Sequence, residues 1–428
     1  MSWLLALLGF LAVAAIGLMG YVLFSGPVPP SMSTIDTPPP AGNRAGLTYL
    51  PQAIGLPVEG HPMITHVAIY DLDGDGLPDI LVCDATANRV SWIRQYPRGV
   101  FKEYPLGDPI PAPAHVSVAD INGDGKPDLL VASMGVILPD NDLIGKVVIL
   151  ENLGDGHFRN HVVAENIPRV TDVRAVDLQG NGRPDLIVGQ FGYNDGEIQW
   201  MENLGNWQFR SHLLLEKPGT IMTPVADFDR DGKPDFAAVI AQNGIQEVHV
   251  FHNLGDENFQ DNVAWKSPNE HWGGSGLEVA DLNGDGLPDL IYSNGDGFDN
   301  GFYGPPPWHG LQWLENRGDG NFIYHRIGDS PGCYSPVAVD LNGDGHLDIV
   351  TVSAFNKAND TSSAWLTAWL NDGHENFTPV PLAHSPSHLI TVAAGDLDGN
   401  GVPVLVTGGF FAYPPFTDMS RVTLWRRK

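Results

Sequence analysis

The sequence predicts an all-β protein, a seven-bladed β-propeller of four-stranded antiparallel blades preceded by one transmembrane α-helix. Three observations carry this expectation: a repeated acidic nonapeptide, a repeated strand pattern around it, and an uncharged stretch at the N-terminus. The nonapeptide is Asp71-Leu72-Asp73-Gly74-Asp75-Gly76-Leu77-Pro78-Asp79. It returns with variation from Asp120, Asp177, Asp227, Asp281, Asp340 and Asp396, at intervals of 49, 57, 50, 54, 59 and 56 residues. A period of this length marks propeller blades or a comparable array.

Each copy has the chemistry of a calcium loop. Oxygen side chains at positions one, three, five and nine converge on one ion if the backbone turns sharply, and glycines at four and six tolerate the positive φ that such a turn needs. Position seven adds a carbonyl. The candidate ligands are Asp71, Asp73, Asp75, Leu77 and Asp79 in the first copy and Asp120, Asn122, Asp124, Lys126 and Asp128 in the second. The third offers Asp177, Gln179, Asn181, Arg183 and Asp185, and the fourth Asp227, Asp229, Asp231, Lys233 and Asp235. The fifth has Asp281, Asn283, Asp285, Leu287 and Asp289, and the sixth Asp340, Asn342, Asp344, His346 and Asp348. Carboxylate and carbonyl oxygens without His or Cys side chains fit Ca²⁺ better than a transition metal. Val82 and Val131 stand where an EF-hand would place its twelfth-position Glu, and apolar runs follow instead of helices. The competing reading is an Asp/Gly-rich turn without metal.

The copies differ. Gln179 and Asn181 lower the charge of the third, Arg230 replaces the first glycine of the fourth, and Val404 replaces the ninth-position Asp of the seventh. The expectation is five strong Ca²⁺ sites, one weak and one empty.

Around each loop the strand pattern repeats. An apolar strand precedes it, as in residues 115–119, and a second follows, as in 129–132. A third strand ends in a turn such as Glu151-Asn152-Leu153-Gly154-Asp155-Gly156, and a fourth leaves it. Alternation of apolar residues supports half-buried antiparallel strands, and seven four-stranded units close into a ring without free edges. The last unit stops at its third strand, 421–425. Residues 46–54 match the aromatic-then-aliphatic spacing of the fourth strands, so they are expected to complete the seventh blade of a domain spanning 46–428.

Residues 1–24 form the expected membrane helix. No charged residue occurs from Trp3 to Phe24, and 22 helical residues cover roughly 30 Å of hydrocarbon. Trp3 and Tyr21 fall where interfacial aromatics settle. A cleaved signal peptide is the alternative, although no basic residue precedes the run and Pro27, Pro29 and Pro30 crowd the cut. Gly9, Ala12, Gly17 and Gly20 either let a second membrane helix approach or reflect the small residues common in such helices. Residues 25–45, with Pro38-Pro39-Pro40, read as a semi-rigid polyproline tether. Calcium chemistry favours the periplasm or the cell exterior for the remainder.

Composition narrows the function. The net charge of −28 argues against nucleic acid. Two cysteines, Cys83 and Cys333, exclude a disulfide framework and read as buried thiols. No zinc-protease, nucleophile-elbow, phosphate-loop, haem or dinucleotide motif is present. His161, His212 and His325 recur at one strand position, which marks packing.

The Asp-x-Asp/Asn-Gly-Asp-Gly-x-x-Asp loop, repeated over about residues 60–428, resembles the FG-GAP and VCBS repeats of integrin α-subunit heads and many secreted bacterial proteins. The resemblance implies a seven-bladed propeller with Ca²⁺ between first and second strands. Relatives of this kind serve as adhesion heads, lectins, polysaccharide lyases and scaffolds, so fold alone selects no function. The topology puts the calcium loops on one face. The opposite face receives the chain's insertions and their aromatics: Phe191, Tyr193, Trp272, Phe302, Tyr303, Trp308, His309, Tyr334, Phe410, Phe411, Tyr413 and Phe416. Either these plug the top of the ring or they present a partner-binding surface. The reading favoured is a non-catalytic, membrane-anchored, calcium-stabilised scaffold or accessory subunit of a membrane complex, of electron-transfer or photosynthetic type, bound to other subunits through helix and face. The alternatives are a glycan-binding lectin or adhesin, and then a polysaccharide lyase.

Overall fold

Seven antiparallel sheets follow one another along the chain, six of them with their strands in sequence order, in a computed structural model that describes residues 46–297, 305–318, 320–357 and 360–428. Blade one shows the plan: Ile64–Tyr70, Asp79–Asp84, Arg89–Gln95 and Phe101–Leu106 pair as first to fourth strands. Second strands are buried along their whole length, as in Asp79–Asp84 and Asp128–Ser133. Fourth strands alternate, as in Gln208–Glu216, because one face packs on the neighbouring blade and the other meets water.

The seventh blade is composite. Its first three strands are Leu389–Gly395, Val404–Gly409 and Val422–Arg427, and its fourth is Tyr49–Ile54, running antiparallel from Tyr49↔Arg427 to Ile54↔Val422. Leu47, Tyr49 and Ile54 are buried at this clasp. Beside it Arg421 donates from Nε to Asp84 Oδ2 at 3.0 Å and from Nη2 to Glu103 Oε1 at 2.8 Å, tying blade seven to blade one.

Blade four departs from the plan. Its first strand is split into Thr220–Met222 and Val225–Ala226, with Pro224 between them, where proline withholds an amide. The freed Thr223 amide donates instead to Asp172 Oδ2 of blade three at 2.7 Å.

Apolar clusters lie between adjacent blades rather than in one central core. Cys83 and Cys333 are buried and free, and burial pushes the Cys83 and Cys333 thiols above their usual range. His161 stacks on Trp207, His212 on Trp200 and His325 on Trp313, so these recurrent histidines pack between indoles and carboxylates. Residues 1–45 lie outside the described residues, and with them the expected helix, Gly9, Ala12, Gly17, Gly20 and the tether. Among the described residues no helix is long and apolar enough to cross a membrane.

Candidate functional site

The seven acidic loops join first to second strands, so they all open on one face of the ring. Their side chains hold the turn itself. Asp71 accepts the amides of Asp75 and Gly76 at 3.2 and 2.8 Å, and Asp75 Oδ1 accepts that of Leu77 at 2.9 Å. The same pattern holds Lys126 on Asp124, Arg183 on Asn181, Lys233 on Asp231, Leu287 on Asp285 and His346 on Asp344. Gly74 and Gly76 have φ of 70° and 83°, and Arg230, in a glycine's place, adopts 59°. Arg230 keeps this left-handed conformation while its Nη2 donates to the Asp285 carbonyl of the next loop at 3.3 Å.

Position nine does more than its spacing suggested. Asp79, Asp128, Asp185, Asp235, Asp289 and Asp348 are all buried. In blade two, Asp128 Oδ2 accepts the Ile121 amide at 3.1 Å and Oδ1 the Asn152 amide at 2.8 Å, so one carboxylate latches the loop to the third strand. Burial, opposed by these amides, pushes Asp79 and Asp348 up to about 6 and Asp289 up to about 7. A cation at the loop offsets the cost of keeping such carboxylates ionised.

The residues fit Ca²⁺. Oxygens of Asp71, Asp73 and Asp79 lie within 4.8 Å of one another, as do those of Asp227, Asp229 and Asp231. Such a group of hard oxygens on a glycine turn matches the ion's ligand preference. In blade three, Leu178 turns its amide to the Val176 carbonyl at 3.1 Å, and the Asp185 carboxylate faces the Trp200 indole instead. In blade seven, Val404 is buried where the latch would be, and Arg426 Nε donates to Asp398 at 2.9 Å.

A belt of amides missed by the sequence reading runs around this face. Gln95, Asn203, Asn253, Asn316 and Asn371 each donate a side-chain N–H to the position-two carbonyl of the preceding blade: Leu397, Ile121, Leu178, Phe228 and Leu282, at 2.8 to 3.4 Å. Arg427 does the same to Leu341 at 2.8 Å. The signal lies in the Asn-x-Gly that closes the third strands at Asn203, Asn253, Asn316 and Asn371.

On the opposite face a cavity of about 230 Å³ opens at the mouth of the central channel. Phe191 and Tyr193 of blade three, Tyr334 of blade six, and Phe410 and Tyr413 of blade seven line it. Five of the twelve candidate aromatic-face residues thus converge on one site. Others do not. Phe411 and His309 are 1% exposed, because Phe411 packs toward His388 and burial holds the His309 imidazole down at about 3. They belong to the protein's interior, which corrects the expectation that they offer surface. Trp272 packs on Trp265, Trp308 Nε1 donates to the His271 carbonyl at 2.8 Å, and Phe416 is exposed and stacked on His61. Phe302 and Tyr303 lie outside the described residues.

The cavity floor is polar. His66 and His115 have ring centroids 3.9 Å apart, and His115 Nδ1 lies 3.0 Å from Asp172 Oδ1. Arg174 Nε donates to Asp172 Oδ2 at 3.0 Å. Burial, aided by the Arg174 charge, holds both imidazoles well below their ordinary range, so they are neutral. These channel residues carry no motif, and one or two polar residues on each of three inner strands leave no local signal.

The comparisons agree with this architecture. The FG-GAP-like repeat model matches residues 71–131, 177–238, 227–292 and 294–351, more than half of the chain, and the chain belongs to that family. Repeats of this family often carry Ca²⁺. A structure of BBS1N in complex with ARL6DN is 11% identical, with a TM-score of 0.54 over 90% of this chain and 97% of that one. The Vibrio cholerae biofilm matrix protein Bap1 is 12% identical, with a TM-score of 0.47 over 88% of this chain and 90% of that one. At 11% identity the first likeness establishes the shared propeller fold. A search of curated protein sequences found no match.

Proposed function

We propose that this protein is a non-catalytic binding propeller, stabilised by Ca²⁺ on one face and engaging a protein partner with the other. The observation that carries the proposal is the convergence of Phe191, Tyr193, Tyr334, Phe410 and Tyr413 on one cavity. Aromatic side chains bury large area at small entropic cost, and a pocket with a few polar groups at its base gives direction to the contact. Neutral His66 and His115 add polarity to that base without the desolvation cost of a charge. The first-strand loops hold Ca²⁺ through the side chains of positions one, three, five and nine and the position-seven carbonyl. Its role there is to neutralise clustered carboxylates and stiffen the ring.

The finer reading is a scaffold or accessory subunit of a membrane complex, anchored by residues 1–24 and held close by the tether, with the propeller in the periplasm or outside the cell. The uncharged run from Trp3 to Phe24 and the proline-rich segment after it support this reading. An assembly for electron transfer or photosynthesis fits a head kept within tens of ångströms of membrane neighbours. The same aromatic mouth suits sugar rings, and that second reading rests on half-buried Tyr413 at the cavity and exposed Phe416 three residues on in the same insertion.

Site-specific photo-crosslinking in native membranes tests the proposal. A photoreactive residue at Tyr413 is expected to capture one partner subunit, and one at Asp155 on the loop face is expected to capture none. Equal capture at both positions, or none at Tyr413 alongside glycan binding by the purified chain, would overturn the protein-partner reading.

A further inference from the structure

In blades one to six the third-strand residue just before the one whose amide meets the ninth-position Asp stands beside the acidic loop, and in blades one and four it reaches over the loop's carboxylates. The residues at this overhanging position are Arg94, Glu151, Glu202, His252, Glu315 and Leu370, followed by Gln95, Asn152, Asn203, Asn253, Asn316 and Asn371, which make that bond. Arg426 stands at the corresponding place in blade seven, where Val404 leaves no latch. The register is constant and the charge is not.

Arg94 reaches into loop one. Its Nη2 lies 2.6 Å from Asp73 Oδ2 and 3.6 Å from Asp75 Oδ2. Its guanidinium carbon sits 5.5 Å and 4.9 Å from the ring centroids of Trp92 and Tyr96, which brace it there. Arg426 repeats the arrangement in loop seven, with Nε 2.9 Å from Asp398 Oδ2 and Nη2 3.2 Å from Oδ1. Glu151 and Glu315 instead turn to His161 and His325 at 2.7 and 2.8 Å, and loop two takes its cation from its own Lys126, 3.0 Å from Asp124 Oδ2. Leu370 packs in an apolar cluster and offers no charge at all.

We propose that this overhanging residue decides how each loop is filled, and that Arg94 is a built-in counter-ion which Ca²⁺ must displace to enter loop one. The inference rests on the calcium reading above. Position three and position five oxygens cannot serve a guanidinium and a divalent ion together. A displaced guanidinium also remains close enough to repel the ion that replaced it. Loop one therefore binds more weakly than loops five and six, whose position-five carboxylates meet only neutral Asn283 and Asn342 amides, although its four acidic side chains make it the more charged. Loop seven, with Arg426 in place and no ninth-position carboxylate, takes no ion.

Calorimetric Ca²⁺ titration of the full chain, with thermal melts in chelator as a folding control, tests this. Arg94→Leu places at blade one the residue blade six already carries, and Arg94→Gln is a polar second variant in case leucine disturbs the fold. Each is expected to tighten one site by at least about tenfold, since a full opposing charge is removed. The converse variant, Leu370→Arg, is expected to lose one site. Unchanged affinities in folded Arg94 variants, with wild-type chain that does bind Ca²⁺, would overturn the inference and leave the calcium reading standing. A flat wild-type titration would overturn both.

Discussion

Asp128 and Asp124 sit four positions apart in one loop and do different work. Asp128 is buried and accepts two backbone amides, whereas Asp124 is exposed on the loop rim. Asp128→Ala leaves two buried donors unpaired, at about 1–3 kcal/mol each. It is expected to lower stability by about 2–6 kcal/mol in chelator, and by more in Ca²⁺, where a ligand is lost as well. Asp124→Ala frees the exposed Lys126 amide and is expected to cost little in chelator and more in Ca²⁺, which denaturant melts under both conditions would distinguish. The spacing of the nonapeptide makes both residues look like equal ligands, because a one-dimensional pattern does not say which oxygen already has a partner.

Glu278 gives the residue scale a pH dependence. Burial in the channel, opposed by the Arg174 charge, pushes its carboxyl up to about 7. A carboxyl raised above its unfolded value stabilises the fold fully below about pH 4.5, and the contribution is lost as pH rises through about 7. Glu278→Gln is therefore expected to melt like wild type near pH 4.5. Near pH 8 it is expected to be more stable than wild type by up to about 3 kcal/mol. A difference independent of pH would contradict this.

At the scale of elements, the clasp is the point where the ring is fastened. Tyr49–Ile54 contributes a strand plus the buried side chains of Leu47, Tyr49 and Ile54. A chain beginning at residue 55 exposes the edge of Val422–Arg427 and forfeits about 1.5–3 kcal/mol for each of those side chains. It is expected to melt well below a chain beginning at 46, and an equal melting temperature for the two would contradict the role given to the clasp. The seven strand quartets were legible because period-two alternation and glycine turns are local signals. The split first strand of blade four was not, since Pro224 matters there only through Thr223 and its bond to a neighbouring blade. The aromatic face was legible in part. The half-burial of Phe191 and Tyr413 and the burial of Phe411 depend on which loop residue turns inward, and alternating aromatics in a proline-rich insertion leave that open.

For the whole molecule, the acidic loops and the aromatic cavity lie on opposite faces of the ring. Much of the net charge of −28 lies in the loops, so the apo ring carries self-repulsion that bound Ca²⁺ relieves. Each site saturated at a hundred times its dissociation constant adds about 2.7 kcal/mol. Chelator is therefore expected to lower the melting temperature steeply, and added Mg²⁺ to restore it poorly, because the smaller ion demands a stricter octahedron. A melting temperature indifferent to chelator would remove calcium from the account.

The central claim is that the aromatic mouth binds a neighbouring subunit, and the most direct test is size fractionation of native membranes dissolved in mild detergent. Wild-type chain is compared with a Tyr193→Ala/Tyr413→Ala variant, and co-migrating proteins are identified by mass spectrometry. The wild type is expected in a large assembly at fixed stoichiometry, and the folded variant is expected to leave it. Wild-type chain running alone at 46.3 kDa plus its detergent would contradict the claim.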